Sequence, residues 1–217
     1  MNEMNRLGPI KLKRREGDEP FHVEGRTLGF DLLSFWQWFS SDVVSNVTRS
    51  VLAEYLIAQA LGVARGSVRE EWAPYDLEAL DGTRVEVKSA AYIQSWYQDQ
   101  FSRITFQVPK TRAWDKATNR QSEHMRRQAD VYVFALLAHT DQETLDPLDV
   151  SQWEFFVVPT TSLDNRKRSQ HSITLRSLRE LSGGLVSYEK LRRVVKEAGR
   201  NQRKLANKLL QQTRARR

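Results

Sequence analysis

The chain has 217 residues, 40% hydrophobic and 28% charged, which suits one packed domain with appendages and a soluble surface. No apolar run nears the length of a membrane span and no signal-peptide pattern opens the sequence, so a cytoplasmic protein without membrane contact is expected. The absence of cysteine excludes disulfides, thiolate catalysis and cysteine-bound zinc, and the formal charge of +7 is concentrated between Ala198 and Arg217.

Met1 to Arg26 is charged, holds Pro9 and Pro20 and shows no sustained period, which reads as mostly extended or disordered; a flexible segment is placed at 1–29. From Phe30 onward, Leu32, Leu33, Phe35, Trp36 and Phe39 describe a short amphipathic helix that breaks at Ser40-Ser41-Asp42. Asn46 is the expected N-cap of a second helix that ends near Leu61, stopped by Gly62. Glu54 lies within it, and its same-face neighbours Val47, Val51, Ala58 and Leu61 are all apolar. A carboxylate on such a stripe is costly unless a cation or metal compensates it. A glutamate at the edge of the stripe, or one paired with an arginine, explains the pattern equally well.

Asp81-Gly82 separates two short runs and signals a hairpin. In the second run Val85 and Val87 alternate with Glu86 and Lys88, so the valines face a core and the charged pair shares the other face. A two-residue loop would mix apolar and charged residues on both faces. A three-residue loop, Leu80-Asp81-Gly82, instead sets Leu77 opposite Val85, Glu78 opposite Arg84, Tyr75 opposite Val87 and Asp76 opposite Glu86. That register keeps one face apolar, adds an opposite-charge pair, and brings Asp76, Glu86 and Lys88 together.

Downstream, Ile104, Phe106 and Val108 alternate as a third strand. Pro109 to Asp130 is polar and basic, with Trp114 inside it. Lys110, Arg112, Arg126 and Arg127 are candidates for nucleic-acid contact there, as Gln94 and Gln98 are behind the hairpin. A solvated linker with one anchoring tryptophan is the plainer reading. Val131 to Ala138 is continuously apolar, as a strand covered on both faces would be. Trp153 to Val158 is a further strand, Leu163 to Gln170 a basic loop, and helical segments follow around Thr174–Leu181 and Tyr188–Ala198. The basic tail, 198–217, contributes Arg200, Arg203 and Lys204 as phosphate-contacting candidates, with a solvated terminal helix as the alternative. The order gives an α/β (α+β) domain at 30–197: a central mixed β-sheet flanked by helices.

Asp76 after Pro74-Tyr75, followed by Glu86-Val87-Lys88, resembles the signature of the PD-(D/E)XK nuclease superfamily. One residue separates Pro74 from Asp76, where the name implies adjacency. Members often carry an acidic residue on a helix before the hairpin, and Glu54 stands in the matching place. The resemblance implies a restriction-endonuclease-like fold and phosphodiester hydrolysis as the reaction class, but not the substrate. From the donor chemistry a Mg²⁺-dependent endonuclease is expected, with Mn²⁺ able to substitute, and double-stranded DNA is the expected partner. The resemblance implies catalytic roles for Asp76, Glu86, Lys88 and Glu54, and a metal held by Asp76, Glu86, the Val87 carbonyl and Glu54. It leaves a homodimer open.

The four histidines lack metal-ligand spacing, and neither a P-loop nor a GxGxxG sequence is present, so histidine-based hydrolysis and nucleotide-driven activity are not supported. Two readings compete with a nuclease. One is a catalytically inactive nucleic-acid-binding module of the same fold. The other is a structural protein in which Glu54, Asp76, Glu86 and Lys88 form only an ion-pair network.

Overall fold

A computed structural model describes residues 7–214, with side chains through Leu205. Its centre is a four-stranded mixed sheet of β3 (Leu77–Glu78), β4 (Arg84–Ala91), β8 (Val131–Leu137) and β9 (Trp153–Pro159), in the order β3-β4-β8-β9. β4 and β8 run parallel, from Val85 opposite Val131 to Ala91 opposite Leu137, whereas β3–β4 and β8–β9 are antiparallel. The parallel pair needs a crossover, and the chain between β4 and β8 supplies it with three short strands in two small pairings, one of them completed by a later strand, instead of a helix. These are β5 (Thr105–Gln107), which pairs with β10 (Ser172–Thr174), and a hairpin of β6 (Trp114–Asp115) and β7 (Arg120–Gln121). The third strand read from sequence thus exists but lies outside the central sheet.

β8 is buried along its whole length, as its unbroken apolar run requires. Its odd residues, Val131, Val133, Ala135 and Leu137, join a core with Ala53, Ile57 and Leu61 of α2 (Asn46–Leu61) and with Leu191 and Val195 of α5 (Leu191–Arg214). Its even residues, Tyr132, Phe134 and Leu136, join a second core with Phe106, Ile173, Leu163 of α3 (Thr160–Asp164) and Leu178 of α4 (Leu175–Ser182). Period-2 alternation therefore divides one strand between two hydrophobic layers.

α2 begins at Asn46, but its cap is Ser45, whose hydroxyl accepts the Thr48 amide; Asn46 uses its side chain on Arg49. Gly62 closes the helix at φ 78°, a left-handed conformation suited to glycine. The stretch 1–26, expected to be mostly extended or disordered, contains β1 (Pro20–Val23), which pairs with β2 (Arg26–Asp31). That hairpin leads into α1 (Leu32–Ser40), none of whose residues is buried.

Two further expectations change. Leu163 and Asp164 close α3 instead of opening a loop. After a single 3-10 turn at Tyr188–Lys190, the chain from Leu191 forms one continuous helix, α5, which crosses 197/198 without a break. Gly199 allows this helix to dock: a Cβ there would stand 2.3 Å from Thr83 Oγ1, in the turn between β3 and β4. Arg203 fastens the same contact, donating to Thr83 Oγ1 at 2.9 Å and Asp81 Oδ2 at 3.2 Å. No helix of the described residues is long and apolar enough to cross a membrane.

Candidate active site

The β3–β4 hairpin adopts the register that buries one face. Leu77 is opposite Val85 and Glu78 opposite Arg84, with Ala79 N–H bonded to the Thr83 carbonyl at 2.9 Å. Val85 and Val87 are buried in the α2-side core, which leaves Glu86 and Lys88 on the reverse face. Lys88 Nζ donates to Glu86 Oε1 at 2.6 Å.

β3 begins at Leu77, so Asp76 and Tyr75 are not paired as strand residues. Tyr75 does not face Val87; it packs against the second core and donates its hydroxyl to Glu78 Oε2 at 2.6 Å. The expected Glu78–Arg84 ion pair does not form either. Arg84 turns to Asp130, with Nη2 to Oδ1 at 2.6 Å and Nε to Oδ2 at 3.1 Å, and holds that carboxyl below its ordinary pKa against the cost of burial.

Asp76 bends inward just before β3 begins. Its backbone N–H donates to the Val85 carbonyl at 3.1 Å, and its Oδ2 accepts the Val87 N–H at 2.7 Å. A strand residue points its N–H and C=O to the same edge, so the Val87 carbonyl also faces the edge that β3 has vacated. Burial pushes the Asp76 carboxyl up to about 7, and the charges of Glu86 and Glu54 add to this; the Val87 N–H and Lys88 oppose it. Asp76, Glu86, Lys88 and Glu54 thus share one electrostatic environment. Burial and the Glu86 charge also raise the phenol of Tyr132, which lies opposite Glu86 in the sheet.

Glu54 is 9% exposed, although Val47 on its stripe is 68% exposed, so the stripe leaves the core at its N-terminal end. Its compensating charge is Arg69, which the sequence reading did not single out. Arg69 lies in the loop between α2 and β3, and its Nε and Nη2 donate to the two Glu54 oxygens at 2.5 and 3.0 Å. An arginine partner for Glu54 was one alternative open from the sequence, but Arg69 lies fifteen residues on, across the helix end and a loop, and no spacing singled it out. Among the described residues, no three histidine, aspartate or glutamate side chains group closely enough to hold a metal together. The available hard donors are Asp76, Glu86 and the Val87 carbonyl, and two carboxylates with one carbonyl suit an ion that keeps several waters. A cavity of about 430 Å³ reaches Asp76 from the α2 side and is lined also by Val51, Glu54, Tyr55, Arg69 and Tyr75.

The proposed nucleic-acid contacts separate clearly. The Arg127 side chain is fully buried; it donates to the Val108 carbonyl, Asp164 and Gln170, so it braces the fold and cannot reach a nucleic acid. Gln94 and Gln98 are engaged internally: Gln94 accepts from Arg49 and donates to Ser102, and Gln98 accepts the Gln94 N–H. Arg126 bonds Gln128, Lys110 lies 3.8 Å from Asp164, and Arg203 holds the hairpin turn. Arg112, Arg200 and Lys204 are exposed.

The sequence model for bacteriophage T4 endonuclease IV matches residues 32–177, which include Glu54, Arg69, Asp76, Glu86 and Lys88. Among curated proteins, none matches the chain. The match spans well over half of the sequence, and the chain belongs to the bacteriophage T4 endonuclease IV family.

Proposed function

We propose that the protein is a Mg²⁺-dependent endonuclease of the PD-(D/E)XK type that hydrolyses phosphodiester bonds in DNA, with Mn²⁺ able to replace Mg²⁺. The observation that carries this reading is the half-buried Asp76 carboxyl, held by the Val87 N–H beside Glu86 at the open end of the hairpin. The Glu86 charge adds to the raised proton affinity of Asp76, and a divalent cation relieves that repulsion. Asp76, Glu86 and the Val87 carbonyl would hold the ion. When bound, Mg²⁺ supplies a water of lowered pKa and neutralises charge on the scissile phosphate.

The chain's own groups carry the remaining work. Lys88 lies against Glu86, where its ammonium can orient the attacking water and stabilise the negative charge that grows on the phosphate oxygens. Water oxygen bonds to phosphorus as its proton passes to a basic group or to solvent, the P–O bond to the leaving sugar oxygen breaks, and that oxygen takes up a proton from solvent. The α2-side cavity reaches Asp76, Glu54 and Arg69, whereas Glu86 and Lys88 lie on the other face of β4 and do not line it. Cytoplasmic residence is consistent with this chemistry and is proposed with it.

An inactive binding module would keep the nucleic-acid surface and dispense with the metal. Mn²⁺ titration of the metal-free protein separates the two. An endonuclease binds Mn²⁺, and Asp76→Ala or Glu86→Ala abolishes the binding. Equal Mn²⁺ affinity in wild type and both variants contradicts the proposal.

A further inference from the structure

The Glu54–Arg69 pair is asymmetric in its exposure. The Glu54 side chain is 11% exposed and that of Arg69 40%, so the anion is hidden while the cation faces solvent. Both carboxylate oxygens are occupied, along with Nε and Nη2 of the guanidinium. Among the described residues, Arg69 Nη1 makes no hydrogen bond. Arg69 and Asp76 line the same cavity, and the Asp76 charge reaches the guanidinium.

The loop that carries Arg69 is held on both sides. Gly62 and α2 fix its start, where Ser67 Oγ donates to the Val63 carbonyl at 2.9 Å. Beyond Arg69, Glu70 accepts from Lys116 Nζ at 2.6 Å, and Trp72 meets Trp114 edge to face with ring centroids 5.4 Å apart. Side-on pairing through Nε and Nη2 leaves the Nη1 edge of the planar fork oriented and available. That edge matches a phosphate's oxygens, and an arginine already held in place loses less conformational freedom on binding.

We propose that Arg69 binds a backbone phosphate of the nucleic acid beside Asp76, and that Glu54 is a positioning residue that aims the guanidinium instead of ligating a metal. This assignment rests on the nuclease reading of the hairpin and gives Glu54 a different duty within it. To reach a metal, Glu54 would have to surrender a two-point, desolvated ion pair and leave Arg69 without its anchor.

The test uses the full chain and the variants Arg69→Ala, Glu54→Gln and Glu54→Ala, each checked for folding by circular dichroism. One readout is Mn²⁺ affinity; the other is affinity for short single- and double-stranded DNA, with Ca²⁺ in place of Mg²⁺. Arg69→Ala is expected to weaken DNA binding by about tenfold or more, the loss of a charge-assisted hydrogen bond, with Mn²⁺ affinity unchanged. Glu54→Ala should do the same, and Glu54→Gln, which keeps an acceptor for Nε, should lose less. Loss of Mn²⁺ binding in Glu54→Gln as complete as that in Asp76→Ala would overturn the assignment, because a residue that only aims Arg69 does not hold the ion. Unchanged DNA affinity in folded Arg69→Ala would overturn it as well. If the wild type binds no Mn²⁺ and cuts nothing while Arg69→Ala still weakens DNA binding, the phosphate site stands and the nuclease reading falls.

Discussion

Asp76 Oδ2 accepts the Val87 N–H at 2.7 Å, so a side chain takes the place of the missing strand partner. β3 begins only at Leu77, two residues after Tyr75, whose backbone would have met Val87 in the expected register, and the carboxylate fills the ladder position left open. The bond fixes Asp76 at the edge of β4 beside Glu86, where both can act on one ligand.

This arrangement has a signed pH dependence. The Asp76 carboxyl is raised from 3.8 in the unfolded chain to about 7 in the fold. Between those values the folded state holds a proton that the unfolded state releases, so Asp76 lowers stability as pH rises through the window. In metal-free buffer, the stability difference between wild type and Asp76→Asn should shift in favour of the variant from about pH 4 to about pH 7, by no more than about 4 kcal/mol. Asparagine keeps an acceptor for the Val87 N–H, so the comparison isolates the charge. Chemical denaturation at several pH values measures it, and a pH-independent difference would count against the shifted carboxyl.

Arg127 should behave as a structural residue. Its buried guanidinium bonds the Val108 carbonyl, Asp164 and Gln170, and Arg127→Ala would leave these acceptors unpaired in the interior. A loss of about 3–5 kcal/mol of stability is expected in urea unfolding. Nucleic-acid affinity of the folded variant at low temperature should match wild type, whereas a selective loss of affinity would restore Arg127 to the binding surface.

Gly199 sets how closely α5 approaches the hairpin. A Cβ there meets Thr83 Oγ1 at 2.3 Å and Cγ2 at 2.5 Å, and Thr83 is fully buried. Gly199→Ala is expected to cost about 1–3 kcal/mol from overpacking, although alanine favours a helix. Thr83→Ala in the same chain removes both clashing atoms and should recover part of the loss. Urea titration of the two single variants and the double variant reads the coupling. Strict additivity would contradict the contact.

The hairpin register was legible because a one-residue slip would have exchanged its faces, and the valines at 85 and 87 exclude that. The unbroken apolar run of β8 and the Gly62 stop were equally direct. Arg84 was assigned to Glu78 because the two are cross-strand neighbours, but Asp130 lies far along the sequence and its position depends on the parallel β4–β8 pairing. Arg127 and Arg112 look alike in a basic stretch, and only the fold of the crossover buries the first and exposes the second. Arg69 was missed for the same reason. A loop residue opposite a helix residue carries no periodicity, and the signal was limited to the unexplained carboxylate at Glu54.

Cleavage itself tests the central claim most directly. Purified protein is incubated with plasmid, linear and single-stranded DNA in Mg²⁺ or Mn²⁺, beside Asp76→Ala and Lys88→Ala. Wild type should cut at least one of these substrates in a metal-dependent manner, and each variant should be slower by about 100-fold or more, as expected when charge stabilisation at the reacting phosphate is removed. Equal cleavage by wild type and both variants, or cleavage that persists undiminished in a chelator, would contradict the placement of a metal-dependent nuclease site at Asp76, Glu86 and Lys88.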